Sequence, residues 1–174
     1  MTKAAFKRKA LKTLFPRDTH PELPLDPDAE RPGAYKLPLH FVPGVQLVIL
    51  MGGFLGTFAR YETENALPSS ASGVPYATLL VNLLGAFLLG ALLESLARRG
   101  PDRGKRQLVR LGLGTGFMGA FTTYSTFAVE VSLLTQQHHI LTAWTYALVS
   151  IVGGLICCAA GIHLAESYHM GGAK

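Results

Sequence analysis

Charge is scarce in this sequence. Only 16% of its 174 residues are Asp, Glu, Lys or Arg, against about 25% in an ordinary soluble domain, and mean hydropathy is positive. Four stretches, 39–59, 76–96, 108–134 and 140–164, are almost free of charge, and each is long enough for a hydrocarbon core that takes about 20 helical residues. This pattern excludes a soluble globular domain and predicts an all-α integral membrane protein with four transmembrane helices. Cysteine is equally sparse. The two present, Cys157 and Cys158, are adjacent inside the last stretch, so a disulfide framework is excluded and they read as small packing residues. A metal site would need further soft ligands, and His138 and His139 lie at the other end of that stretch, while His163 reads as an interfacial residue. A catalytic serine is excluded by a further lack: no His or Lys lies at the depth of Ser125 to act as its base. The chain is not expected to be an enzyme.

What charge there is lies at the ends of these stretches. Residues 1–38 hold eight of the 16 Lys and Arg and six of the ten prolines, which marks a basic, disordered N-terminal tail. Its apolar content comes too late for a cleavable signal peptide. Within it, "AAFKRKALKTLF" can form a short helix with Phe6, Ala10 and Leu14 on one face, suited to an anionic membrane surface. The segment "ARRGPDRGKRQLVR" between the second and third stretches adds six basic residues and Lys174 one more, 15 on one side against Arg60 alone on the other. Because Lys and Arg in short connections stay on the cytoplasmic side, both termini are expected in the cytoplasm of a plasma-membrane protein. Residues 39–166 form the membrane domain and 167–174 a short C-terminal tail.

Polar groups inside the apolar stretches matter most, since an unpaired one costs several kcal/mol in hydrocarbon. The first stretch has the small-residue face "GGFLG" and ends in "ARY", where Arg60 can snorkel or line a vestibule. The second carries Asn82 in "NLLGAFLLG", with Gly85 and Gly90 allowing close packing; such an amide can simply join two helices. The third is the most unusual. In "LGLGTGFMGAFTTYSTF", glycines at 112, 114, 116 and 119 precede a row of hydroxyls, Thr122, Thr123, Tyr124, Ser125 and Thr126. This composition predicts a helix broken near its middle, with backbone groups freed at membrane depth. Such breaks are tolerated where they coordinate an ion, line a cavity or are buried in protein. Phe121, Tyr124 and Phe127 recur every third residue as an aromatic stripe, whose electropositive ring edges suit a small anion if they are not mere packing.

These segments, "GGFLGTFARY", "NLLGAFLLG" and "GFMGAFTTYSTFAVE", resemble the three signatures of the Fluc/CrcB fluoride channel family, in the same order and over residues 52 to 130. The resemblance implies a channel for passive fluoride export that protects the cell from fluoride toxicity. It also implies an antiparallel dimer with two fluoride pathways and one structural sodium ion at the dimer interface. By position it makes Asn82 the pore amide and Tyr124 and Phe127 the aromatic box, with tyrosine where the family usually has phenylalanine. Ser125 and Thr126 become pore hydroxyls, Glu130 the acidic residue after the box, and Tyr146 with Ser150 a polar track that Gly154 cuts short. The carbonyls of Gly119 and Thr122 would hold the sodium. The implied partners are fluoride, membrane lipid and a second subunit in the opposite orientation, either a paralogue or a second copy, with no nucleic acid. A small four-helix multidrug transporter is the main rival, but it needs a carboxylate midway along its first helix and this one has none. A structural membrane protein would explain the glycines and leave the clustered hydroxyls without a purpose.

Overall fold

The computed structural model describes residues 42–67 and 73–171, apart from the side chains of 169–171. The N-terminal tail, with the short basic helix that its sequence could form, and Lys174 lie outside the described residues. Among those described, every regular element is helical, and three helices are long and apolar enough to cross a membrane. The first, α1 (Pro43–Ala66), opens with proline in its first turn, where the missing N–H costs nothing. It runs past the expected end at Ala59 to include Arg60 and Glu64, an ion pair one turn apart at 3.9 Å. The second, α2 (Tyr76–Arg98), starts directly after Pro75 and stops before Gly100, whose φ of 109° no side-chain-bearing residue adopts readily.

The third apolar stretch is not one helix. It comprises α3 (Lys105–Val109), a π-helical stretch (Arg110–Met118), one turn α4 (Gly119–Phe121) and, after a gap, α5 (Ser125–Gln136). At the gap Thr122 is extended, with φ −79° and ψ 160°. The last helix, α6 (Ile140–Gly171), continues well past the apolar stretch, where Arg98 of α2 hydrogen-bonds both Glu94 and Glu166. The turn between α5 and α6 uses His138 in the left-handed conformation, φ 62°. The His139 N–H then reaches back to the Leu134 carbonyl at 2.9 Å, which satisfies an exposed helix end. That accounts for the paired histidines as turn residues.

Packing divides the helices into two groups. α1 lies against the π-helical stretch and α4, while α2 lies along α6. The first contact is backbone against backbone: a side chain at Gly52 would strike the Gly112 carbonyl, one at Gly56 the Phe117 carbonyl, and one at Gly116 the Ile49 carbonyl. In lipid, association relies on such close approach because burying apolar surface gains little. Between α2 and α6, Gly90 faces Cys158 and Gly161 faces the Phe87 carbonyl. Cys158 therefore packs as a small residue, and both cysteines are free thiols. Outward, Leu47, Leu50, Met51, Phe54, Leu55, Phe58 and Tyr61 form a continuous exposed apolar face on α1.

Candidate functional site

The gap after α4 is held open by one side chain from α2 and by two threonines of its own. Asn82, on α2, clasps the backbone of Thr123 twice: its amide Nδ2 donates to the Thr123 carbonyl at 2.9 Å, and its Oδ1 accepts the Thr123 N–H at 2.8 Å. Because a backbone N–H can only donate, the second bond fixes which way the amide points. Thr123 is in turn a hub. Its hydroxyl accepts the Thr126 N–H at 3.2 Å, donates to Thr126 Oγ1 at 3.0 Å and lies 3.3 Å from Ser125 Oγ. It thus caps the start of α5 as threonines do. Thr122 turns the other way, its N–H and hydroxyl both donating to the Met118 carbonyl, at 3.0 and 2.8 Å. Its methyl group fills the space opposite Gly85, where any side chain on α2 would collide with it.

These diversions leave two carbonyls short of donors. In a continuous helix Gly119 would accept from the Thr123 N–H and Thr122 from the Thr126 N–H, four residues on. The first of these amides is engaged by Asn82 and the second by the Thr123 hydroxyl. Gly119 also has nothing within 4 Å of the position a side chain would occupy.

Past the gap, α5 presents a second polar cluster to α2 and α6. Both oxygens of Glu130 accept hydroxyl protons, Oε1 from Thr78 at 2.6 Å and Oε2 from Tyr146 at 2.7 Å. The two donors are 2% and 3% exposed, so both oxygens of this side chain are fixed by buried hydroxyls from α2 and α6. The Phe127 ring sits between Tyr146 and Tyr124, with centroids 5.4 and 6.1 Å away, both tilted. The buried Ser150 hydroxyl, one turn from Tyr146, has no partner at hydrogen-bonding geometry. Thr126, Thr78 and Glu130, with Pro75 and Glu64, line a pocket of about 310 Å3.

The structure therefore joins Tyr124, Phe127, Glu130 and Tyr146 in one chain of contacts. Asn82, Ser125 and Thr126 are joined in another through Thr123. Arg60 stays apart, paired with Glu64, which also lines the pocket. The expected single aromatic stripe is divided: Phe121 stacks on Phe117 at 5.7 Å, buried, and only Tyr124 and Phe127 pair beyond the gap. The extended Thr122 resets the helical phase, so a three-residue spacing drawn across it has no meaning. Two functional-looking residues escaped sequence reasoning. Thr78 lies one turn before Asn82 on the same face of α2, and that spacing was its signal. Thr123 stood in the hydroxyl row without a part of its own.

The profile of the CrcB-like protein family (camphor resistance, CrcB) matches residues 47–162, the region that contains all of these contacts. The chain belongs to the CrcB family. Among its relatives, a protein of Cutibacterium acnes named fluoride-specific ion channel FluC 1 is 46% identical over 109 residues, covering 63% of this chain and 76% of that protein. FluC 2 of Leifsonia xyli subsp. xyli is 44% identical over 127 residues, covering 73% and 87%. FluC of Chlorobaculum tepidum is 42% identical over 123 residues, covering 69% and 93%.

Proposed function

We propose that this chain forms a fluoride-selective channel, not an enzyme, that lets fluoride leave the cell passively. The observation that carries this reading is the polar lining of the gap, set among helices long enough to span a bilayer, in a member of a family whose named relatives are fluoride channels. Fluoride is small and strongly hydrated, so a pathway must replace its water with donors and ring edges that bind weakly enough for exit. Amide and hydroxyl donors from Asn82, Ser125 and Thr126 and the ring edges of Tyr124 and Phe127 have that chemistry. The polar face of Tyr146 and Ser150 extends it along α6, and Arg60 serves the vestibule. The third stretch crosses the membrane as a discontinuous fourth span. In purified form the chain should release fluoride rapidly from liposomes, read with a fluoride electrode, and strongly prefer it to chloride. A requirement for a proton gradient, or equal chloride flux, would overturn the channel.

The working unit on this reading is an antiparallel pair with one structural sodium between the subunits. The Gly119 and Thr122 carbonyls fit a hard cation, since both are oxygen donors whose helical amides are engaged elsewhere. The exposed apolar face of α1 is left for lipid or the second subunit. Basic residues lie 15 to one across the membrane, a bias that fixes one orientation with both termini in the cytoplasm. In the cell the partner is therefore a related chain of opposite bias, while in purified, overexpressed material two copies of this chain make the pair. A cysteine introduced between α2 and α3 should be shielded from an impermeant reagent in intact cells in essentially every copy, whereas labelling of about half would point to two copies of this chain inserted both ways.

A further inference from the structure

The hydroxyl of Thr123 is assigned no part in the pathway, yet it makes more contacts at the gap than any of the assigned hydroxyls. It is attached to a residue only 7% exposed and accepts the Thr126 N–H, the amide that in a continuous helix would meet the Thr122 carbonyl. Asn82 does the same one step earlier, holding the Thr123 N–H away from Gly119. Thr122 cannot cap its own carbonyl or that of Gly119, because its hydroxyl and N–H are both committed to Met118. Gly85 reserves the room in which Thr122 turns outward. Two carbonyls are thus kept open by two separate diversions, one made by a side chain of α2 and one made by a side chain within the gap.

We propose that Thr123 is a positioning residue, acting with Asn82 to set the cation affinity of the Gly119 and Thr122 carbonyls by withholding the amides that would close them. The proposal rests on the sodium reading above and adds what makes the two oxygens available. Without Thr123 Oγ1 the Thr126 N–H loses its partner, and a return of Thr122 from its extended ψ of 160° to helical values would let that N–H close a standard helical bond on the Thr122 carbonyl. The cation then competes with an intramolecular donor. Threonine and serine both supply the oxygen; valine matches threonine in shape and does not.

The purified full-length protein in detergent, melted in rising sodium chloride with N-methyl-D-glucamine chloride making up the ionic strength, tests this without reference to flux. Wild type should melt higher as sodium rises, because a ligand bound by the folded state stabilises it by mass action. Thr123→Val should need at least tenfold more sodium for half of that shift, and Thr123→Ser should stay close to wild type. Adding Thr126→Pro to Thr123→Val removes the N–H that would return, tolerable in the first turn of α5, and should restore the wild-type midpoint. A Thr123→Val midpoint within twofold of wild type overturns the positioning role and leaves the sodium reading standing. A wild type with no sodium-dependent shift overturns both. If Thr123→Val does not yield folded protein, Thr123→Ala removes the same oxygen with less bulk and is scored the same way.

Discussion

The two sides of the gap solve the same problem by different means. Before it, the π-helical stretch and α4 are fixed by main chain on main chain, with Gly52, Gly56 and Gly116 letting α1 approach until carbonyls touch alpha carbons. After it, α5 is fixed by side chains, Thr78 and Tyr146 meeting Glu130 and Phe127 tilted against Tyr146. Backbone packing has no room to adjust, whereas hydroxyls and rings can shift by tenths of an ångström. The rigid side places the gap, and on the channel reading proposed above the adjustable side is the one that would meet the ion. Asn82 joins the two, since its clasp on Thr123 sits at the boundary.

This contrast can be broken on either side. The largest effect is expected upstream: Gly52→Val puts a branched side chain onto the Gly112 carbonyl, which no rotamer relieves, and should abolish folded, monodisperse protein in size-exclusion chromatography. Next comes Phe127→Ile, which keeps bulk and removes the ring edge. It should leave the elution profile and melting temperature near wild type while fluoride efflux falls at least a hundredfold. Normal conduction in that variant would make the ring a packing element. The smallest is Gly85→Ala at the boundary. Its added methyl meets the Thr122 methyl, which can move only if Thr122 rotates and gives up its hydroxyl bond to Met118, so the cost should be about 1–3 kcal/mol, the usual range for overpacking. Thermal melts would show a modest drop and efflux a partial loss. A Gly85→Ala protein as unstable as Gly52→Val would mean that the gap is no more adjustable than the π-helical contact.

The long spans were legible in the sequence because uninterrupted apolarity is a local signal, while their ends were less so: the stretch expected at 39–59 is a helix over Pro43–Ala66. The gap was foreshadowed by glycines followed by hydroxyls, and the family signatures drew attention to Asn82, Phe127 and Glu130. What local reading could not supply was pairing. Thr78 and Glu130 are 52 residues apart and Asn82 and Thr123 are 41 apart, so nothing in either neighbourhood announces the other. The aromatic stripe failed for a related reason: helical periodicity assumes one continuous phase, and a single extended residue at Thr122 cancels it. The π-helical register of 110–118 was likewise hidden, because glycines lower the cost of many conformations and select none of them.

The clasp between Asn82 and Thr123 also bears on how the chain enters a membrane. The pieces of the third stretch are each too short to span a bilayer, and the gap between them leaves backbone groups that lipid cannot satisfy, at several kcal/mol apiece. That stretch is a poor candidate for insertion by itself. The N–H and carbonyl of Thr123 are satisfied by Asn82 of α2, an uninterrupted apolar helix that precedes the stretch in the chain. Synthesis from the N-terminus therefore delivers the supporting helix first, and the discontinuous stretch gains its stability by docking onto a neighbour already in place.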